Sequence, residues 1–457
     1  MCRENQPHYC ISSQLLYPLA NMRRFSMTLF VAFCFLTVAA FGAGAGGDWP
    51  DFRGPDCDGH AVPPVQNAPI GLPLHWSETQ NVAWNTPIPY RGWSSPVILG
   101  ARIWLTTATP DGHDFFAICV DKDSGKILSN QKVFHCDSPE PLGNDLNCYA
   151  SPSPVIEPGR VYVHFGSYGT ACLDTENYQV LWKRDDLPCR HFRGPGSSPI
   201  LYQNWLILTM DGIDVQYMVA LDKTTGKTVW KTDRSVDYKD LAADGQPMGG
   251  GDFRKAFSTP IVIDEHGVPQ ILTCSSKAAY SYDPATGREL WIFRHGGYSP
   301  AARPLFDHGL AFISTGNGAA EMVALRVDGH GDVTDTAAVW RASHGPPRKP
   351  SPVLAGGLLF MINDGGIASC LETATGHEVW RERIGGEYSA SALLGDGRVY
   401  CFSQTGTTTI LEAGRNFAVL ATNQLGTGFM ASPAVSGRAL FLRGKTALYR
   451  VEQAENN

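Results

Sequence analysis

Side chains able to do chemistry gather just ahead of a recurring Ser-Pro step. They are Arg91 and Trp93; Tyr149; Arg190, His191, Phe192 and Arg193; Asp252, Phe253, Arg254 and Lys255; Tyr298; Arg348 and Lys349; Glu387 and Tyr388; and Phe429. Cations outnumber acids in this set. Guanidinium and ammonium groups suit an anionic ligand or an acidic peptide segment, and the interleaved aromatic faces suit a planar or sugar-like group. The same arginines could instead brace neighbouring loops, which is the common fate of exposed charge.

Other patterns fall short of a catalytic set. Asp328-x-His330-x-Asp332-x-x-Asp335 has oxygen ligands at suggestive spacing. A Ca²⁺ loop needs more acids and a terminal Glu, so the stretch reads as a solvated hairpin insertion. The histidines are dispersed, without zinc spacing. Gly194-Pro-Gly-Ser197-Ser198 is not a nucleophile elbow, and spacing assembles no Ser/His/Asp set. Gly249-Gly250-Gly251 reads as a flexible loop, with no lysine-bearing phosphate loop after it.

The element that must position these residues is a repeated hairpin. Its best copy is Ala220-Leu-Asp222-Lys-Thr-Thr-Gly226-Lys-Thr-Val-Trp230. Asp222 can fold its carboxylate onto turn N–H groups, Gly226 can supply the left-handed residue of the turn, and Trp230 offers a large apolar face. Asp283 to Gly287 and Trp291, and Glu372 to Gly376 and Trp380, repeat it. Weaker copies start at Asp121, at Asp174 (leading to Trp182) and at Glu412. Trp84, Ser129, Trp182, Trp230, Trp291, Trp340, Trp380 and Leu420 stand in register at intervals of 45, 53, 48, 61, 49, 40 and 40. Such a period, with several strands per unit, predicts propeller blades.

Eight Ser-Pro-type steps predict eight blades, at Ser94-Ser95-Pro96, Ser151 to Pro154, Ser197-Ser198-Pro199, Ser258-Thr259-Pro260, Pro300 to Pro304, Ser351-Pro352, Ser389 to Ser391 and Ser432-Pro433. The last unit lacks its Trp hairpin, while Val82-Ala-Trp84 at the front is an orphan strand. Pairing it with 447–451 would close the ring and leave no open edge. The expected class is all-β, an eight-bladed propeller over 77–453, with an irregular extension over 46–76 laid over the fold and a tail at 454–457.

The first 45 residues read as a secretory signal and a preface. Arg23-Arg24 precede an apolar run of 15 residues from Met27 to Phe41, then small residues. That is shorter than the ~20 residues of a membrane span. Met22 offers a second start, and Cys34 after Phe33 makes a poor lipoprotein site. The expected location is secreted or periplasmic. Net charge is −7, and −9 without the first 45 residues, which hold three Arg and one Glu. A nucleic-acid partner is therefore not expected.

Nine cysteines follow the signal. Cys119, Cys172 and Cys370 sit two residues before the hairpin acid, like Ala220, and read as small buried seats. Cys274 and Cys401 lie in apolar strand runs, and Cys57, Cys136, Cys148 and Cys189 in loop-like sequence. An exported chain could close Cys136 with Cys148.

The hairpin resembles the pyrroloquinoline-quinone (PQQ) repeat, Ala-x-Asp-x-x-Thr-Gly-Lys-x-x-Trp, which 220–230 matches at every fixed position. Trp49-Pro-Asp-Phe-Arg-Gly-Pro55 with Gly59, and Ala324 to Asp335 running on to Trp340, are similar to stretches of secreted PQQ-like propeller proteins of planctomycete-type bacteria. Length and blade count are similar to the propeller subunit of the outer-membrane protein assembly (Bam) machinery, without a lipidation cysteine. The resemblance implies the fold and leaves function open. PQQ-dependent alcohol or sugar dehydrogenases share the repeat, with adjacent cysteines that are missing here, a Trp beneath the cofactor and a Ca²⁺ site. If PQQ and Ca²⁺ bind, Arg91, Arg254 or Arg348 would meet the PQQ carboxylates and Asn317, in Ser314-Thr-Gly-Asn317-Gly, would lie near Ca²⁺. The expectation is a monomeric, non-catalytic binding scaffold for a protein or glycan partner, without a cofactor. A quinoprotein dehydrogenase and an outer-membrane assembly factor peripherally associated with that machinery are the alternatives.

Overall fold

The Asp-Gly-Trp hairpins set the geometry of a wheel. The computed structural model describes residues 47–62 and 68–454; the expected signal segment lies outside them, as do 455–457. Eight antiparallel sheets follow one another, and each runs from a three- to five-residue innermost strand to an outer strand bearing the Trp-type position. Blade 1 comprises Val97–Leu99, Arg102–Ala108, Asp114–Asp121 and Ile127–His135. Blades 2 to 7 repeat the plan over 155–184, 200–233, 261–294, 305–342, 353–383 and 393–424. The middle strands lie between neighbouring blades, so Arg102–Ala108 and Trp205–Asp211 are buried almost throughout. Outer strands such as Val180–Arg184 alternate half-buried and exposed.

The ring closes as the orphan strand predicted. Val82–Pro87 pairs antiparallel with Ala447–Val451 and supplies the outer strand of blade 8. Trp84 thus closes the circle twice, by strand pairing and by donating its indole N–H to the Lys122 carbonyl of blade 1 at 3.2 Å.

Every other Trp of the register clasps its next blade in the same way. Trp182 donates to Lys223 O, Trp230 to Pro284 O, Trp291 to Val327 O, Trp340 to Thr373 O and Trp380 to Gly414 O, at 2.7–3.3 Å. Asp222 Oδ1 accepts from the Thr224 and Thr225 N–H groups and from both hydroxyls. These bonds, the Thr224 hydroxyl first, hold its carboxyl below the usual range. Gly226 is needed twice. Its φ is +71°, and a Cβ there would lie 2.6 Å from the Trp182 ring of the preceding blade. Gly125, Gly287 and Gly376 face Trp84, Trp230 and Trp340 in the same way.

The missing tryptophans have physical reasons. Where Ser129 replaces Trp, the next turn carries Tyr178 at φ +65° in place of glycine, because no indole presses on it. Tyr178 packs instead against Trp104. In blade 7 the Trp register falls on Ala421, which pairs with Ile410, and Leu420 is the exposed bulge residue before it; blade 8, completed by the distant strand, has no hairpin turn to clasp. The seats opposite the Trp positions are small: Ala220, Cys172, Cys370, Ala324 and Ser281 pair with Trp230, Trp182, Trp380, Trp340 and Trp291. All nine cysteines of the described residues are free, so the Cys136–Cys148 disulfide does not form; Cys148 Sγ lies 3.2 Å from Ser151 Oγ. The 328–335 insertion is a hairpin whose Gly331–Asp332 adds a fifth, parallel strand to the outer edge of blade 4.

Trp230 is 8% exposed. Trp230→Ala should cost about 3–5 kcal/mol in a urea titration, as a buried aromatic truncation does. A cost below ~1 kcal/mol would contradict the clasp. Deleting Val82 to Trp84 should expose 434–451 to limited proteolysis before any other blade; unchanged resistance there would contradict closure by the N-terminal strand.

Candidate functional site: a one-ended funnel

The Ser-Pro steps form a ring at the mouth of the central channel. The N–H of Ser95 donates to Ser153 Oγ, Ser153 to Ser198, Ser198 to Thr259, Ser351 to Ser391, Ser391 to Ser432 and Ser432 back to Ser95, all at 2.8–3.0 Å. Blade 5 places Arg303 at the equivalent position. Its N–H keeps the pattern by donating to Ser351 Oγ at 2.9 Å, but it has no hydroxyl to return. Its guanidinium turns to the Pro260 carbonyl, Asp51 Oδ1 and the Phe52 carbonyl.

Those last partners belong to the N-terminal extension, which is inserted into the channel rather than laid over the fold. Trp49 exchanges two 2.8 Å backbone hydrogen bonds with Ile98, on the innermost strand of blade 1. The Ile156 N–H of blade 2 donates to Pro50 O. Arg53, 1% exposed, donates to the carbonyls of Ser351 and Pro352 in blade 6, Ala392 in blade 7 and Asp58. Burial pulls its guanidinium down to about 9, which keeps it charged at neutral pH. The return limb pairs Gly59 and Ala61 with Leu394. Further on, the N–H groups of Ile70, Gly71 and Leu72 donate to Asp396 in the blade 7 turn. The chain thus makes a finger with Phe52 and Arg53 at its tip. Gly54 and Gly59 permit the fold-back: both have positive φ, and a Cβ would lie 2.9 Å from the Trp49 ring and 2.6 Å from the Arg53 guanidinium.

Above the tip lies a cavity of about 680 Å³, with Phe52 among its lining residues. Six ring hydroxyls line it, together with Trp93, Phe257 and Tyr298. Its charges are arranged as two triads. Asp252 holds Lys255 and lies 3.6 Å from Arg193. Burial lowers the Lys255 ammonium, and the Asp252 contact opposes that shift. Asp364 accepts the Arg348 N–H at 2.8 Å and lies 3.3 Å from Lys349 Nζ. Glu387 is exposed at the rim.

Of the residues singled out in the sequence, Trp93, Arg193, Asp252, Lys255, Tyr298, Asn317, Arg348, Lys349 and Glu387 line this cavity. Arg91 lies over the Trp93 ring and reaches Asp145. Arg190 pairs with Glu140, and Arg254 is held by Asp240. Tyr149 is buried against Phe115 and Tyr168, and Tyr388 is 1% exposed; neither lines the cavity. Phe52 and the hydroxyl ring escaped the functional reading of the sequence. The repeated Ser-Pro steps carried the ring's signal but read as strand starts.

The family described as outer membrane protein assembly factor BamB matches residues 77–330 and 329–454. The chain belongs to this family. The outer membrane protein assembly factor BamB of Yersinia pestis is 23% identical over 209 residues, 42% of this chain. The matched region spans 48% of that curated relative. A europium-containing methanol dehydrogenase superposes with a TM-score of 0.67 and 11% identity, over 88% of this chain and 90% of its own. Quinohemoprotein alcohol dehydrogenase from Comamonas testosteroni gives 0.65 and 11% over 91% and 82%. BamB from Moraxella catarrhalis gives 0.56 and 10% over 81% and 99%. At these identities the likeness is one of fold.

The funnel residues offer no set of free oxygen donors for the Ca²⁺ that would accompany PQQ. Asp252 and Asp364 are each engaged by two cationic side chains. Asn317 Oδ1 already accepts from Arg348 at 3.2 Å. No group of three or more His, Cys, Asp or Glu able to hold a metal occurs among the described residues. The set therefore lacks the several free oxygen donors a hard cation takes.

His191 is buried, and its Nε2 accepts the Ser167 N–H. Burial lowers His164 and His295 to about 3 and His191 to about 4. In the unfolded chain each titrates near 6.5. Below that pH the unfolded state takes up protons that the folded state refuses, so stability is lost as pH falls from about 6.5 toward 4. Each histidine should contribute about 1.4 kcal/mol per pH unit. Urea titrations of His164→Gln should show a slope shallower by that amount, and an unchanged slope would contradict a neutral buried His164.

Proposed function

We propose that the chain is an exported, non-catalytic propeller that binds a protein or glycan partner at its funnel face. The observation that carries this reading is the funnel: polar and aromatic groups converge on a cavity closed from beneath by the chain's own finger, while Asp252 and Asp364 are engaged by its bases. A redox or hydrolytic centre needs a free base, nucleophile or cation site, and the paired groups supply none of these roles. Two long inter-blade connections on the same face expose Leu146, Met248 and Phe253, apolar side chains suited to a partner's surface. Peripheral association with an outer-membrane assembly machinery is compatible with the family. Export rests on the N-terminal charge and apolar pattern. Among the described residues no helix is long and apolar enough to cross a membrane.

The test is to mix purified protein with PQQ and Ca²⁺ and follow binding and dye-linked oxidation of alcohols and sugars. We expect neither, and a sedimentation mass of one chain. Saturable PQQ binding with turnover would replace this reading with a quinoprotein dehydrogenase.

A further inference from the structure

Resting on that binding reading, we propose that the funnel takes the uncharged, hydroxyl-bearing end of a saccharide. Each ring hydroxyl uses its oxygen to accept a backbone N–H from the neighbouring blade. Among the described residues, no protein group accepts the O–H of Ser95, Ser153, Ser198, Thr259, Ser391 or Ser432. These six O–H groups line the cavity as donors still to be satisfied. The Trp93 ring lines the same cavity. Buried polar groups favour a ligand that completes their hydrogen bonds.

The ligand's charge follows from the triads. Arg193, Lys255, Arg348 and Lys349 are all within reach of Asp252 or Asp364. An anion would have to compete with built-in carboxylates for every cation. A neutral polyol faces no such competition, since its hydroxyls accept from the ring and its C–H faces lie against Trp93, Phe257 and Tyr298. The volume falls within the ~300–1,000 Å³ of small-ligand sites. Because the finger tip blocks the channel, a chain can present an end but cannot thread through.

The test is calorimetric titration of the full exported chain with maltohexaose, cellohexaose and N-acetylchitohexaose as neutral probes and oligogalacturonate as the anionic one, at low and high salt. At least one neutral probe should bind saturably with little salt dependence. Trp93→Ala and Tyr298→Ala should each weaken it by about tenfold, the upper range for an aromatic contact. Val419→Ala, on the outer rim, should leave it unchanged. Thermal melts of each variant establish that it is folded, and only folded variants are compared. Binding of no neutral probe, salt-sensitive binding of oligogalacturonate alone, or neutral binding indifferent to both aromatic variants would overturn the assignment. Failure of every saccharide alongside a protein partner bound at Leu146 and Phe253 would remove the saccharide and keep the binding reading; PQQ turnover would remove both.

Discussion

The wheel depends on an indole seated on a glycine. Each clasp joins a bulged outer strand to the next blade's turn, and both sides of the contact are constrained. The turn needs a left-handed residue, and the indole above it leaves no room for a Cβ. Burying an indole removes about 150–250 Å² from water. At roughly 25 cal/mol per Å² that is several kcal/mol per interface before entropy, with a hydrogen bond of about 1 kcal/mol added. The constraint explains its own exceptions. Ser129 and Tyr178 changed together, and Ala421 stands where there is no turn to clasp.

Clasps at the periphery leave the channel open, and the chain fills it by a second device. Arg53 and Arg303 cap carbonyls that the inner strands leave without strand partners. Burying two guanidiniums is costly, and the cost is met by carbonyl hydrogen bonds together with Asp51. Burial pushes the Asp51 carboxyl up, against the pull of Arg303. The arrangement turns a through-channel into a blind funnel. The proposed binding role then falls to the loops of one face.

The wheel was readable because its repeat is local. Acid, glycine and Trp lie within nine residues in the best copies, and with the Ser-Pro steps they located the blades and the closing strand. The finger was not readable. Trp49-Pro-Asp-Phe-Arg-Gly-Pro has no periodicity, and Arg53 meets partners about 300 residues away. Its glycines signalled tight turns, but not what they pack against. The funnel was half legible. Loop position selected Trp93, Arg193, Tyr298 and Arg348, yet it also selected Tyr149 and Tyr388, which point into packing. The excess of cations suggested an anion site. Pairing of Arg193 with Asp252 and of Lys349 with Asp364 was not legible, because those partners lie 59 and 15 residues apart in the chain.

The one-ended funnel depends on the finger closing the channel from beneath. Amide hydrogen exchange of the exported chain measures this directly, through the amides of Trp49, Gly59 and Ala61 beside Ile98 and Leu394 of the innermost strands. If the finger is part of the wheel, its amides exchange as slowly as those of the strands they pair with. Exchange of 49–61 at the rate of an open loop, with the innermost strands protected, would show an open channel and contradict the one-ended funnel.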